Sequence, residues 1–309
     1  MFYRLRNSAH RFWFDLRCRG VLDTPPVPAA PSAPRASVVT MLSHRDVIMY
    51  LLAVKSFCRR LDNCRIVALN DGSLTREDVA TLQRHLPGIT VLRIEDVPLS
   101  PDCPRGGTWE RLQLIAQLSR EAFVIQLDSD TLTLGAIPEV ASCVENNCSF
   151  TLLGRGSHPA VEPLVEACRR ARRGPGGSHV QTVSERSLDQ LPSADQLKYV
   201  RGNSGFAGFA RQSIPPGQVE WFSRHMRAIC GPKWNEWGSE QVTSSLTVAN
   251  SPKAIALPFP KYASYYALKD VRYRDCSFLH FLGTCRYAHG FYIAMARETI
   301  PLLRQDISR

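Results

Sequence analysis

The chain has 309 residues, 44% hydrophobic and 21% charged, with a formal net charge of +10 at pH 7. That composition excludes disorder throughout and can bury a substantial core, in one large domain or two smaller ones. The apolar runs fall short of the ~18 residues a spanning helix needs, and the N-terminus lacks a secretory signal's apolar centre and cleavage site, so a soluble, cytoplasmic protein is expected. Ten dispersed cysteines with no Cys-x-x-Cys pair read as thiols in a reducing compartment. The positive charge falls in clusters, with no zinc-knuckle spacing or RNP-like motif, so nucleic acid is not an expected partner.

In residues 1–22, Phe2, Leu5, Ala9, Trp13 and Leu16 recur at helical spacing, with Arg4, Arg11, Arg17 and Arg19 as a basic complement. Two readings stay open: a helix docked on its own domain, and peripheral contact with an anionic membrane through residues 1–20. Residues 23–36 include "TPPVPAAPSAPRA", whose prolines predict a stiff extended linker. A folded domain is expected over 37–300, with a tail at 301–309. Its apolar runs predict strands near 37–42, 65–70, 89–94 and 122–128, and helical patterns near 46–61, 75–86 and 108–119 lie between them. That alternation predicts an α/β fold, a central mostly parallel sheet with helices on both faces. Beyond about residue 150 the pattern is less regular. A helix starting near Pro163 should close in "CRRARRGPGG", where Arg169–Arg173 complement its dipole and Gly174-Pro175 stop it. The Gly/Ser-rich stretch 174–184 reads as a surface loop or as a lid.

Ligands of open α/β sheets sit beyond the carboxyl ends of the strands. In "VIQLDSDTLTL", Asp128 and Asp130 follow such an end at once. Two carboxylates one residue apart repel unless a cation lies between them, and hard oxygen ligands suit Mg²⁺ or Mn²⁺. The plain alternative is one Asp capping the next turn and the other solvated.

The letters around the pair carry more. "DSDTLTLGAIPEV" resembles the metal-site strand of glycosyltransferase family 8, the group that includes glycogenin. "GNSGFAGF" at 202–209, "SEQ" at 239–241 and "HFLGTCR" at 280–286 are similar, in order, to its Asn-Ser-Gly segment, its Asp-Gln pair and its His-Phe-x-Gly-x-x-Lys-Pro-Trp motif. The resemblance runs over roughly residues 37–290. It implies a GT-A fold and transfer of a sugar, with retained configuration, from a nucleotide diphosphate sugar, usually UDP-linked, to a glycan, lipid or protein acceptor. Residues 37–150 would form the nucleotide-sugar half and 151–300 the acceptor side.

The same resemblance implies Asp128, Asp130 and His280 as metal ligands, with Mn²⁺ favoured over Mg²⁺ by the imidazole. Gly283 and Arg286 would lie by the diphosphate, Ser129 would be a further donor-binding residue, and Arg111 would help hold the donor. Asn203, Ser204 and Gly205 would lie near the donor sugar, and Glu240 and Gln241 would bond its hydroxyls and flank the reacting carbon, with Gln241, Glu240 and Asn203 as the catalytic candidates. Each has a plainer reading: a turn at Asn203–Gly205, a helix-start acid at Glu240, a surface salt bridge at Arg111, a surface cation at Arg286. Arg286-Tyr287-Ala288 replaces Lys-Pro-Trp, keeping the charge and losing an aromatic wall. The first strand offers Thr40 and His44 to the nucleotide where the family often has tyrosine, and Asp71 in "ALNDGS" is a candidate for base contact or for a turn. A rival phosphatase reading of the haloacid dehalogenase type would use "VIQLDSDTL" with Lys269, Asp270 and Asp275. A GT-A-like binding domain without turnover is the non-enzymatic alternative.

Overall fold

The computed structural model describes residues 2–156 and 158–305, with the side chains at 2–7 and 284 outside the described set. In chain order the first elements are α1 (Phe2–Cys18), β1 (Ala36–Leu42), α2 (Val47–Cys58), β2 (Cys64–Asn70), α3 (Arg76–His85), β3 (Thr90–Arg93), α4 (Trp109–Leu118) and β4 (Val124–Leu127). Then come β5 (Thr131–Thr133), α5 (Pro138–Glu145), β6 (Phe150–Leu153), β7 (Glu162–Pro163), α6 (Leu164–Arg173), α7 (Val180–Glu185), β8 (Lys198–Tyr199) and β9 (Gly202–Phe209). The last are α8 (Gln218–Cys230), α9 (Ser239–Ala249), β10 (Ile255–Ala256), β11 (Tyr262–Ser264), β12 (Phe278–His280) and α10 (Phe291–Arg304). Two compact units interleave along the chain. One comprises Met1–Leu92, Leu127–Ile137 and Pro260–Arg309; the other comprises Arg93–Gln126 and Pro138–Phe259. No single break near residue 150 separates them.

In the first unit the expected winding is present. β1 and β2 pair in parallel from Ala36 opposite Cys64 to Leu42 opposite Asn70, so their carboxyl ends finish level, and β3 lies beyond β2. The helix between them, α2, is apolar nearly all round, and such a helix must be covered on every side. Its residues from Met49 to Cys58 are all buried, and it packs against β5, α10 and α1. A capping box between Thr75 and Asp78 starts α3. α1 docks through Phe14 and Cys18, both fully buried, with Phe14 lying 4.5 Å from the ring of Tyr292.

The proline-rich stretch forms no helix or strand, and it is strapped down rather than loose. The buried Lys55 ammonium donates to Thr24 Oγ1 at 2.8 Å and to the Pro25 carbonyl at 2.6 Å. Farther along, Val27 N–H reaches the His85 carbonyl and Arg35 N–H the Asn63 carbonyl, both at 2.9 Å. A separate three-stranded sheet in this unit has the order β11-β12-β5.

In the second unit the strand order is β10-β6-β9-β4, with β10 parallel and β9 antiparallel to β6. Gly208 on β9 lies against the Phe150 ring, where any Cβ would overlap it. Trp109, Trp234 and Phe222 pack edge-to-face around the start of α9. Trp109 Nε1 donates to Ser239 Oγ at 3.0 Å. α6 ends at Arg173 before Gly174, where its closing cations and glycine predict. The stretch 174–184 is a correction: from Val180 it is helix α7, capped by His179, and Val180, Gln181 and Ser184 are buried. All ten cysteines are free thiols, seven of them buried. No helix among the described residues is long and apolar enough to cross a membrane.

Candidate metal centre

β4 ends at Leu127, whose carbonyl accepts the Thr40 hydroxyl of β1 at 2.6 Å, so Thr40 is buried and spent on anchoring this strand end. Asp128, Ser129 and Asp130 form the turn into β5, and Thr131 Oγ1 closes it on the Asp128 carbonyl at 2.8 Å. β5 pairs antiparallel with β12, His280 standing opposite Thr131, and the register continues as Phe281 N–H donates to the Asp130 carbonyl at 2.8 Å. That register delivers the imidazole. His280 Nε2 lies 3.1 Å from Asp130 Oδ1 and 3.7 Å from Asp128 Oδ2.

Arg286 completes the group in a way the sequence did not suggest. Its guanidinium donates to Asp130 Oδ2 at 2.5 Å and to the Phe281 carbonyl at 3.0 Å. Two carboxylates therefore meet a guanidinium and an imidazole supplied by the chain. Burial works against charge on Asp130, yet Arg286 and His280 outweigh it and hold the carboxyl well below its ordinary range. Burial likewise opposes charge on His280, but Asp130 and then Asp128 overcome it and raise the imidazole above its ordinary 6.5. The ring accordingly donates from Nε2 to Asp130, while its buried Nδ1 has no hydrogen-bond partner.

The other expected residues of this unit lie at the loop ends. His44 follows β1, exposed, with Nδ1 2.7 Å from Asp78 Oδ2. Asp71 follows β2, and its carboxylate accepts from the Ser73 backbone and hydroxyl in a tight turn. Gly283 is exposed at φ +54°, in the left-handed region.

In the second unit, Arg111 is buried rather than on the surface, its guanidinium 3.8 Å from Glu240 Oε1. Glu240, in the first turn of α9, also accepts from Thr108 Oγ1 at 2.9 Å. Gln241 Nε2 donates to Gln181 Oε1 at 3.1 Å. On β9, Asn203 Oδ1 accepts from Gly205 N–H at 2.8 Å, and the Ser204 carbonyl accepts from Gln126. Asn203–Gly205 are thus strand residues, not a turn.

No protein-family model matches the sequence, and comparison with curated proteins gives no match. Among solved structures, the WbbM bifunctional glycosyltransferase in its apo form superposes with a TM-score of 0.50 at 14% identity, over 89% of this chain and 51% of that one. The fold is GT-A. This chain spans about half the length of WbbM. Mouse xyloside xylosyltransferase 1, also apo, has a TM-score of 0.46 at 12% identity, over 82% of this chain and 98% of that one. The galactosyltransferase LgtC, in complex with donor and acceptor sugar analogues, has 0.45 at 12% identity, over 89% and 96%.

Within this GT-A chain, one ligand atom each from Asp128, Asp130 and His280 lies within 4.8 Å of the others. Two carboxylate oxygens and an imidazole nitrogen at that separation fit a divalent cation. Asp270 and Asp275, which a phosphatase of the haloacid dehalogenase type would bring to this acidic pair, do not belong to this group. The supporting roles of Thr40, Thr131 and the Phe281 backbone escaped the sequence reading. Thr131, adjoining the acidic triplet, carried a usable signal, whereas a backbone N–H carries none.

Proposed function

We propose that the chain is a metal-dependent glycosyltransferase that moves a sugar from a nucleotide diphosphate sugar to an acceptor hydroxyl. The observation that carries this reading is the convergence of Asp128, Asp130 and His280 in a GT-A fold. A divalent cation held by these three residues would supply positive charge beside a departing diphosphate. The mixed oxygen and imidazole donor set favours Mn²⁺ over Mg²⁺. The resemblance to family 8 supports a UDP-linked donor and retention of configuration.

The chain's own residues divide the work. Arg286, which balances Asp130 in the structure, would offer its guanidinium to diphosphate oxygens. Gly283 presents no side chain to crowd a phosphate, and Ser129 adds a hydroxyl between the two acids. His44 and Asp71, just past the ends of β1 and β2, serve the nucleotide; Thr40 supports the strand end beneath it. Asn203, Ser204, Gly205, Glu240, Gln241 and Arg111 keep the sugar-side roles that the resemblance implies. In the transfer, the bond from the anomeric carbon to the diphosphate oxygen breaks with its electron pair going to the diphosphate. The acceptor oxygen bonds to the same face, and its proton passes to a diphosphate oxygen. This chemistry is chiefly electrostatic.

Screening a panel of nucleotide sugars for hydrolysis with and without Mn²⁺ tests the reading. Metal-dependent release of a nucleoside diphosphate from one donor is expected, and Asp128→Asn should raise the Mn²⁺ concentration it requires. Absence of both turnover and thermal stabilisation with every donor overturns it.

A further inference from the structure

Helix α1 has a second apolar face. Phe14 and Cys18 bury the docked side, yet Phe12, Trp13 and Leu16 stand 64%, 50% and 52% exposed. Phe12 and Leu16 share one side at i, i+4 spacing, and each lies two residues, about 200° of helix, from a docked residue. The exposed stripe is therefore opposite the docked one. Large apolar side chains grouped on one helix face mark a surface made for a partner.

Charge decides what kind of partner. Residues 1–20 carry Arg4, Arg6, Arg11, Arg17 and Arg19 against the single acid Asp15. Arg17 and Arg19 are exposed, and the Arg17 guanidinium lies 5.8 Å from the Trp13 ring centroid, beside the stripe. Asp15 lies toward the interior: burial pushes it up to about 6, with Arg11 and Asp46 as its charged neighbours. The exposed stripe thus combines tryptophan, phenylalanine and leucine with arginines and presents no helix carboxylate. Tryptophan and arginine suit the boundary between headgroups and acyl chains, where the ring buries its apolar body and the guanidinium meets phosphate.

We propose that α1 seats the protein on an anionic lipid bilayer, with Phe12, Trp13 and Leu16 entering the interface and Arg17 and Arg19 pairing with lipid phosphates. The helix lies along the surface and stays docked through Phe14 and Cys18. This goes beyond the transferase reading and does not depend on it, because the lipid contact uses none of the Asp128–His280 group.

The test is sedimentation of the full chain with phosphatidylcholine vesicles, with and without roughly 30 mol% phosphatidylglycerol. Binding is expected to the anionic vesicles alone and should weaken with added salt. Phe12→Ser/Trp13→Ser/Leu16→Ser together should lower partitioning by at least about tenfold, and Arg17→Glu/Arg19→Glu should lower it as well. Unchanged circular dichroism and melting temperature would show the triple variant to be folded. As a measurement independent of that variant, brominated lipid should quench a component of wild-type tryptophan fluorescence that is missing from Trp13→Phe. The proposal is overturned if the wild type ignores anionic vesicles, if the triple variant sediments equally well, or if quenching is identical in Trp13→Phe. It is also overturned if the triple variant converts a concentration-dependent dimer to monomer, because a second copy would then cover the stripe.

Discussion

Arg286 and Asp130 are 156 residues apart in sequence and 2.5 Å apart in the fold. The guanidinium occupies one oxygen of a carboxylate proposed to hold a cation, so the two positive groups compete for it. Arg286→Gln is expected to tighten Mn²⁺ binding in calorimetry while lowering turnover, because the competitor and the diphosphate partner are the same side chain. Without metal the variant should lose about 2 kcal/mol, less than the roughly 3–5 kcal/mol of a fully buried pair, since Arg286 is 21% exposed. Unaltered Mn²⁺ affinity would contradict the competition.

Asp128 offers a cleaner test of the ligand set. It is 27% exposed against 6% for Asp130, so replacing its charge disturbs less of the interior. Asp128→Asn should weaken Mn²⁺ binding about 10–100-fold and change the metal-free melting temperature little. Wild-type metal affinity in this variant would remove Asp128 from the site.

The His280–Asp130 pair makes stability depend on pH in a defined direction. The folded pKa of His280 is raised, so its contribution is complete below the ordinary 6.5 and disappears as pH climbs through the folded value. Asp130 behaves oppositely: its contribution is present above the ordinary 3.8 and disappears as pH falls through the depressed folded value. In chelator, the melting temperature should decline on the alkaline side of 6.5 with a slope that His280→Gln lacks. Mn²⁺ affinity should move the other way, because the ligand is neutral imidazole. Identical melting profiles for the two proteins would break the link.

Lys55 ties the proline-rich stretch to α2 through Thr24 and Pro25. Lys55→Met keeps the apolar stem and removes the ammonium, leaving those oxygens short of a donor. A loss of about 2 kcal/mol in urea unfolding is expected, together with faster proteolysis within residues 25–35. Equal stability and equal cleavage would show the strap to be incidental.

Much of this architecture is local. The alternation of strand-length apolar runs with helical patterns, the end of α6 at Arg173-Gly174 and the acidic pair just past β4 all depend on residues within a few positions of one another, so they can be read along the chain. His280 was assignable only through resemblance. Its partnership with Asp130 comes from the antiparallel register of β12 on β5, strands of three residues whose letters do not state which residue faces which. The same holds for the hold of Arg286 on Asp130, the burial of Arg111 beside Glu240, and the interleaving of the two units. Sequence determined the alternating strands and helices of the first half, the end of α6 and where the carboxylates gather, because hydrogen bonding and apolar periodicity act over one or two turns; helix α7 and the short strands that follow β4 were not legible in it. Tertiary structure decided which cations meet those carboxylates, because long-range strand pairing and the energy of burying charge act between residues far apart in the chain.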